Sequence, residues 1–344
     1  MTAAAIPAGV ATGVGSWPGT DPREAAAVIV GELPGLPHLV ELPGRGVGAD
    51  TVGRASALLV DMRFDITPRG YRLAARPGGV SRRARDLLRT DLDALQEAWE
   101  NAGLRGSGRP VKVQAAGPLT LAAQVELPHG HRVLTDRGAV RDLADSLAEG
   151  IAAHIAEIAA RLETEVVLQL DEPSLADVLN GSLRGASVLN TVPALPEPEA
   201  LSILDAVLAP QRVATLVHTC AHRPPLDFLR RTAAGALGFD LATLSGTAGL
   251  DAVGEALDAG KHLVLGMVPT TKPGTAQNWR DIAEPGARLM DRLGFPRAEL
   301  ARRVTVSPAC GLGGAPLSWA RDALRLASDT AKAFAQDPES LVPQ

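Results

Sequence analysis

Eight short runs of apolar residues punctuate the chain, at 11–18, 38–43, 111–118, 166–173, 212–220, 235–241, 262–268 and 304–311. Most are followed by a stretch in which apolar positions recur three and four residues apart. Short apolar runs suit buried strands, and the longer period suits an amphipathic helix. RDLADSLAEGIAAHIAEIAARLE (141–163) and WARDALRLASDTAKAFA (319–335) are helices by that measure. Asp21-Pro22-Arg23-Glu24 reads as an N-cap, a proline at the first helical position and a capping-box glutamate. Strand–helix alternation predicts a parallel sheet. Eight repeats in one chain predict an α/β fold of the (β/α)8 TIM-barrel type, a single domain over 1–344, with a doubly wound sheet as the alternative. Two segments read as insertions. Residues 44–85 follow the second strand and contain RFDITPRGYRLAA, which looks like a hairpin turning at Pro68-Arg69-Gly70. Residues 174–196 follow the fourth.

Polar residues gather where the apolar runs end: Gly15-Ser16, Glu41, Asp171-Glu172, His218 with Cys220, Asp240 and Cys310. In a barrel these ends form one rim, and active sites are built there. The chain has only two cysteines, 90 residues apart, yet both fall at a strand end. Within VHTCAH, His218 and Cys220 are two residues apart, so on a strand they share a face. Two thiolates and an imidazole match the preferences of zinc, and Asp240 is placed to complete the set. Structural zinc sites commonly use paired C-x-x-C loops, which this chain lacks, and that tilts the reading toward catalysis. A Cys220–Cys310 disulfide, or two inert buried thiols, is the competing account.

Composition narrows the field. Hydrophobic residues make up 46%, charged residues 21%, and the formal net charge is −5. No basic stripe stands out, which argues against nucleic acid or an anionic membrane as partner. Aromatics are only 3%, too few for a broad base-stacking surface. Every apolar run is interrupted well before the roughly 18 residues a membrane-spanning helix needs. The opening MTAAAIPAGVATG has no basic, then apolar, signal pattern, and with so few cysteines a cytoplasmic setting is expected.

GVGSWPGTD, AAGPLT, QLDEPSL, HTC and SPACGL, in that order from Gly13 to about Gly313, together resemble the C-terminal catalytic barrel of cobalamin-independent methionine synthase. The resemblance implies that His218, Cys220 and Cys310 are zinc ligands. The family's fourth ligand is a glutamate; the nearest counterpart here is Asp240, one methylene shorter. Asp171 would pair with the ammonium group of an amino-acid substrate, Glu41 would assist it, and Ser16 would meet the substrate carboxylate. The D-E-P segment also has a plain reading as a helix cap. The implied reaction is zinc-dependent transfer of a methyl group to a thiol, homocysteine, with methyltetrahydrofolate or a methyl-corrinoid protein as donor. There are departures. The family carries two barrels, and this chain has room for one. Gln124 stands where a tryptophan stacks on the folate pterin. Thr270 or Thr271 stands where a histidine acts as general acid. His129 and His131, in PHGHR, are possible substitutes, though a solvated loop is the simpler reading. A lyase-like zinc-thiolate enzyme, as in the related uroporphyrinogen decarboxylase superfamily, and a non-catalytic zinc- or amino-acid-binding homologue remain open.

Overall fold

The computed structural model describes residues 6–76, 78–185 and 191–341. An antiparallel hairpin comes first: β1 (Phe64–Thr67) pairs with β2 (Gly70–Leu73), turning at Pro68-Arg69 as the sequence pattern anticipates. The main sheet has six parallel strands in chain order and curls into a half-barrel. They are β3 (Val111–Ala116), β4 (Val166–Asp171), β5 (Ala214–Thr219), β6 (Ala236–Asp240), β7 (His262–Val268) and β8 (Val304–Pro308). Every residue of β3, β4 and β5 is buried, the signature of parallel strands covered on both faces.

The two N-terminal runs do not form ladders. They touch the sheet through isolated parallel bridges: Ala11 with Val306 of β8, Ser16 with Glu41, and His38 with Lys112 of β3. The Thr12 N–H donates to Val306 O (2.9 Å), Trp17 N–H to Glu41 O (2.9 Å) and Leu39 N–H to Lys112 O (2.9 Å). Proline at 18, 37 and 43 removes donors from these segments. Gly13 lets the backbone pass close to an interior side chain: a Cβ there would lie 2.3 Å from His38 Nε2.

The long helices fall near their expected places, at Arg137–Leu162 and Leu317–Gln336. Asp21 caps the helix Pro22–Glu32, accepting from the N–H groups of Arg23 and Glu24. The second expected insertion opens with the helix Leu175–Asn180 and an Arg184–Thr191 bridge; residues 186–190 lie outside the described residues. Among the described residues, no helix is long and apolar enough to cross a membrane.

Helix Arg137–Leu162 lies directly on the backbone that follows helix Thr51–Ala55. Ser146 Oγ donates to Val60 O at 2.6 Å, and a Cβ on Gly150 would stand 1.6 Å from Leu58 O. Mid-helix glycine normally costs about 1 kcal/mol relative to alanine, so Gly150→Ala would ordinarily stabilise. Here a backbone carbonyl blocks it, and the change should instead destabilise by about 3 kcal/mol. Urea unfolding of the two proteins measures the sign; a stabilised alanine variant would disprove this packing.

Candidate active site

Three adjacent strands each contribute two polar side chains at alternate positions, early in the first strand and at the C-terminal ends of the other two. These are Lys112 and Gln114 on β3, Gln169 and Asp171 on β4, and His218 on β5 with Cys220 just past it. Residues two apart share a face, so all six are aligned on one side. Lys112 Nζ donates to Gln169 Oε1 (2.8 Å) and Val14 O (3.0 Å). Gln169 Nε2 donates to Asp171 Oδ1 (2.8 Å) and Val14 O (2.8 Å). Asp171 pairs with His218 in the sheet register, and its Oδ1 lies 2.8 Å from His218 Nδ1. His218 is 5% exposed, and its Nε2 is buried without a hydrogen-bond partner. Burial pushes the Lys112 ammonium down to about 8, against the opposing pull of Asp171 and Glu41.

Cys220 and Cys310 are free thiols, each partly exposed and close enough to shift each other's proton affinity. Cys220, with His218 and the Gly311 N–H, holds Cys310 down at about 6. Cys310 and burial push Cys220 up. Asp240, at the end of β6, spends one oxygen as an N-cap: Oδ1 accepts from Ala242 N–H at 2.9 Å. Burial raises its pKa, while His218 and His222 pull it back.

Glu172, the first residue past β4, turns away from Asp171. It is fully buried and accepts from Leu119 N–H (2.9 Å), Thr120 N–H (2.7 Å) and Thr120 Oγ1 (2.6 Å). The Gly-Pro-x-Thr segment thus wraps a carboxylate. A Cβ on Gly117 would lie 2.2 Å from Glu172 Oε1, so the glycine makes the fit possible. Burial still raises Glu172 to about 7.

Ser16 is half-buried, and its Oγ accepts from Gly313 N–H at 3.3 Å, with its own proton left to donate. Glu41 is buried beside it across the Ser16–Glu41 bridge. Burial pushes Glu41 up to about 7; Arg54, 3.7 Å away, pulls it down, and the charge of Asp171 pushes it further up. Asp91 accepts from Arg54 (2.6 Å) and Arg45 (2.8 Å) behind it. Thr270 is half-buried in the bend after β7. Gln124 is exposed and donates to Ser174 Oγ at 2.9 Å. His129 and His131 are exposed and meet edge to face, with centroids 5.1 Å apart.

Lys112, Gln169 and Arg54 escape a reading that looks only at strand ends. A signal for the first two was nevertheless present: K-x-Q and Q-x-D repeat the spacing of H-x-C on two neighbouring strands.

Among the described residues, no three His, Cys, Asp or Glu side chains already converge as metal ligands. The donors still suit a soft divalent cation. An imidazole nitrogen is buried and unpartnered, its other nitrogen is bonded to a carboxylate, and two thiols adjoin it.

The family model described as "Cobalamin-independent synthase, Catalytic domain" matches residues 10–333. A B12-independent methionine synthase from Shewanella sp. W3-18-1, in complex with selenomethionine, superposes with a TM-score of 0.62. It covers 96% of this chain and 98% of that chain at 11% identity, a likeness of fold. Mandelate oxidase with benzoyl-formic acid reaches a TM-score of only 0.27 at 17% identity, over 93% and 92% of the two chains, too distant to bear on this one. No curated protein matches. The chain belongs to the cobalamin-independent synthase family, over that family's catalytic domain. It is a methionine synthase-like methyltransferase.

Glu41 yields a pH test. A carboxyl whose folded pKa is raised from 4.5 to about 7 holds its proton more tightly when folded. Its stabilising contribution is full below about 4.5 and is lost as pH climbs toward 7. Between about pH 5.5 and about pH 8, the wild type should lose about 2 kcal/mol of stability relative to Glu41→Gln. Denaturant titrations across that window read the difference directly. Parallel stability curves for the two proteins would mean that Glu41 titrates normally.

Proposed function

We propose that the chain moves a methyl group onto the thiol of an amino acid, homocysteine, at a zinc ion held by His218, Cys220 and Cys310, with Asp240 as the fourth donor. The observation that carries this reading is the buried, unpartnered Nε2 of His218 beside the thiol pair. Zinc would supply a Lewis acid that lowers the pKa of a bound thiol and makes it nucleophilic near neutral pH.

The protein's own groups orient the substrate. Asp171 accepts two hydrogen bonds on Oδ1, which leaves Oδ2 for an ammonium group. Glu41 sits close enough to Asp171 for that charge to raise the proton affinity of Glu41, so a cation between them is favourable. The Ser16 hydroxyl can donate to a carboxylate. The selenomethionine held by the Shewanella relative supports an amino-acid ligand for this fold. The three bridges support counting the N-terminal runs as the first two staves of a (β/α)8 barrel in one domain, with the β1–β2 hairpin as an insertion. Free thiols suit a cytoplasmic setting.

The donor half differs. Gln124 offers no aromatic face to a pterin, and the Thr270 hydroxyl cannot deliver a proton near neutral pH as an imidazole does. A cobalamin-independent family weighs against the corrinoid alternative. Methyltetrahydrofolate is the donor to test, and turnover with it should be slow, because general-acid help is typically worth about 10²–10⁴-fold. Fast turnover that Gln124→Ala leaves unchanged would contradict this account of the donor side.

The decisive measurement is metal content. Purified protein should hold about one zinc per chain. Cys220→Ser and Cys310→Ser should each strip most of it, and Asp240→Ala should cost less, because water can take an open position. Full occupancy in the double serine variant would remove the site.

A further inference from the structure

Lys112 is the only fully buried ammonium among the described residues, and neither metal nor substrate need touch it. Its place in the hydrogen-bond chain is what matters. An ammonium can only donate, a carbonyl oxygen can only accept, and an ionised carboxylate can only accept. The Gln169 amide could in principle face either way. Lys112 requires an acceptor, so Oε1 turns toward it at 2.8 Å. Nε2 then faces Asp171 Oδ1 and Val14 O, both acceptors, at 2.8 Å each. Val14 O also accepts from Lys112 at 3.0 Å, so the two ends of the chain agree on one polarity. Asp171, already accepting from Gln169, can take only another donor. His218 Nδ1 must therefore carry the hydrogen.

We propose that Lys112 and Gln169 are positioning residues that hold Asp171 against His218 Nδ1 and so keep His218 in one tautomer. A donor-only group on β3 sets a one-way chain across β4 to β5, and the chain ends with the His218 lone pair on the buried Nε2. The tautomer stands on these contacts alone. Only its consequence for zinc rests on the function proposed above.

Removing Lys112 leaves Gln169 Oε1 buried without a donor, so the amide is held by its Nε2 contacts alone. With that anchor gone, Asp171 is less firmly aligned beneath the imidazole. Lys112 also faces Glu41 and Asp171 as their shared counter-charge, so its loss would alter both sides of the site.

The test is the imidazole nitrogen spectrum of metal-free, nitrogen-labelled protein, with the His218 signals identified by comparison with His218→Gln. Wild type should show a single tautomer with the hydrogen on Nδ1. Lys112→Met should give a mixture of tautomers, and so should Gln169→Met. If the Lys112 variant fails to fold, the Gln169 variant carries the test, since it keeps side-chain volume and removes no charge. In zinc titrations each variant should bind about 10–100-fold more weakly. The double variant should lose no more than the worse single one, because both changes break the same chain. An unchanged Nδ1–H tautomer in a folded Lys112→Met or Gln169→Met protein would overturn the proposal, and so would additive losses in the double variant. A shifted tautomer in a protein that never binds zinc would uphold the chain and reject the metal reading.

Discussion

Two carboxylates buried side by side at the end of β4 set the terms for everything around them. Burying a charged group is costly unless other groups meet it. A strand sends neighbours to opposite faces, so Asp171 and Glu172 need separate answers. Asp171 is met by Gln169 and His218 on one face, and Glu172 by the first turn of helix Pro118–Gln124 on the other. The Gly-Pro-x-Thr and Asp-Glu-Pro motifs are thus two halves of one device. Gly117 makes room, Thr120 bonds twice, and Glu172 pins β4 to the element that follows β3. With Glu172 pinned, Asp171 has no freedom to leave His218.

The site then divides by element. The thiols and the imidazole stand just beyond or at the ends of laddered strands, β5 and β8. Ser16 and Glu41, the groups proposed to meet an amino acid's carboxylate and, with Asp171, its ammonium, stand on the bridged N-terminal segments. Behind Glu41, Arg54 is fastened by Asp91, which also takes Arg45. The guanidinium meets Glu41 only at 3.7 Å, so it tempers that carboxylate without neutralising it.

Much of this was legible in the sequence, for identifiable reasons. Strand–helix alternation is written in apolar spacing, and it leads to a parallel sheet. The H-x-C spacing and the position of Cys310 at a strand end anticipate that the two thiols lie near one another, and here each shifts the other's proton affinity. Apolar spacing does not register how many hydrogen bonds a segment makes, so residues 11–18 and 38–43 read as strands but form only bridges. The Asp240 cap was hidden because its partner lies in the very next turn. Lys112 and Gln169 were visible as polar breaks in buried strands, but their meaning depends on register. Gln114 pairs with Gln169, and Asp171 with His218, and no single-strand pattern reveals such neighbours.

Uneven lacing has a consequence for how the molecule yields. β3, β4 and β5 are joined residue by residue, whereas Ser16 and Glu41 meet across a single bridge. Parting the Ser16 segment from the Glu41 segment breaks two backbone bonds between them, Trp17 N–H to Glu41 O and Glu41 N–H to Gly15 O, while opening the strands at the thiols breaks whole ladders. An amino acid spanning both would act as a rivet between a pliant flap and a stiff plate. Its grip would tighten the looser part and leave the stiffer one unmoved.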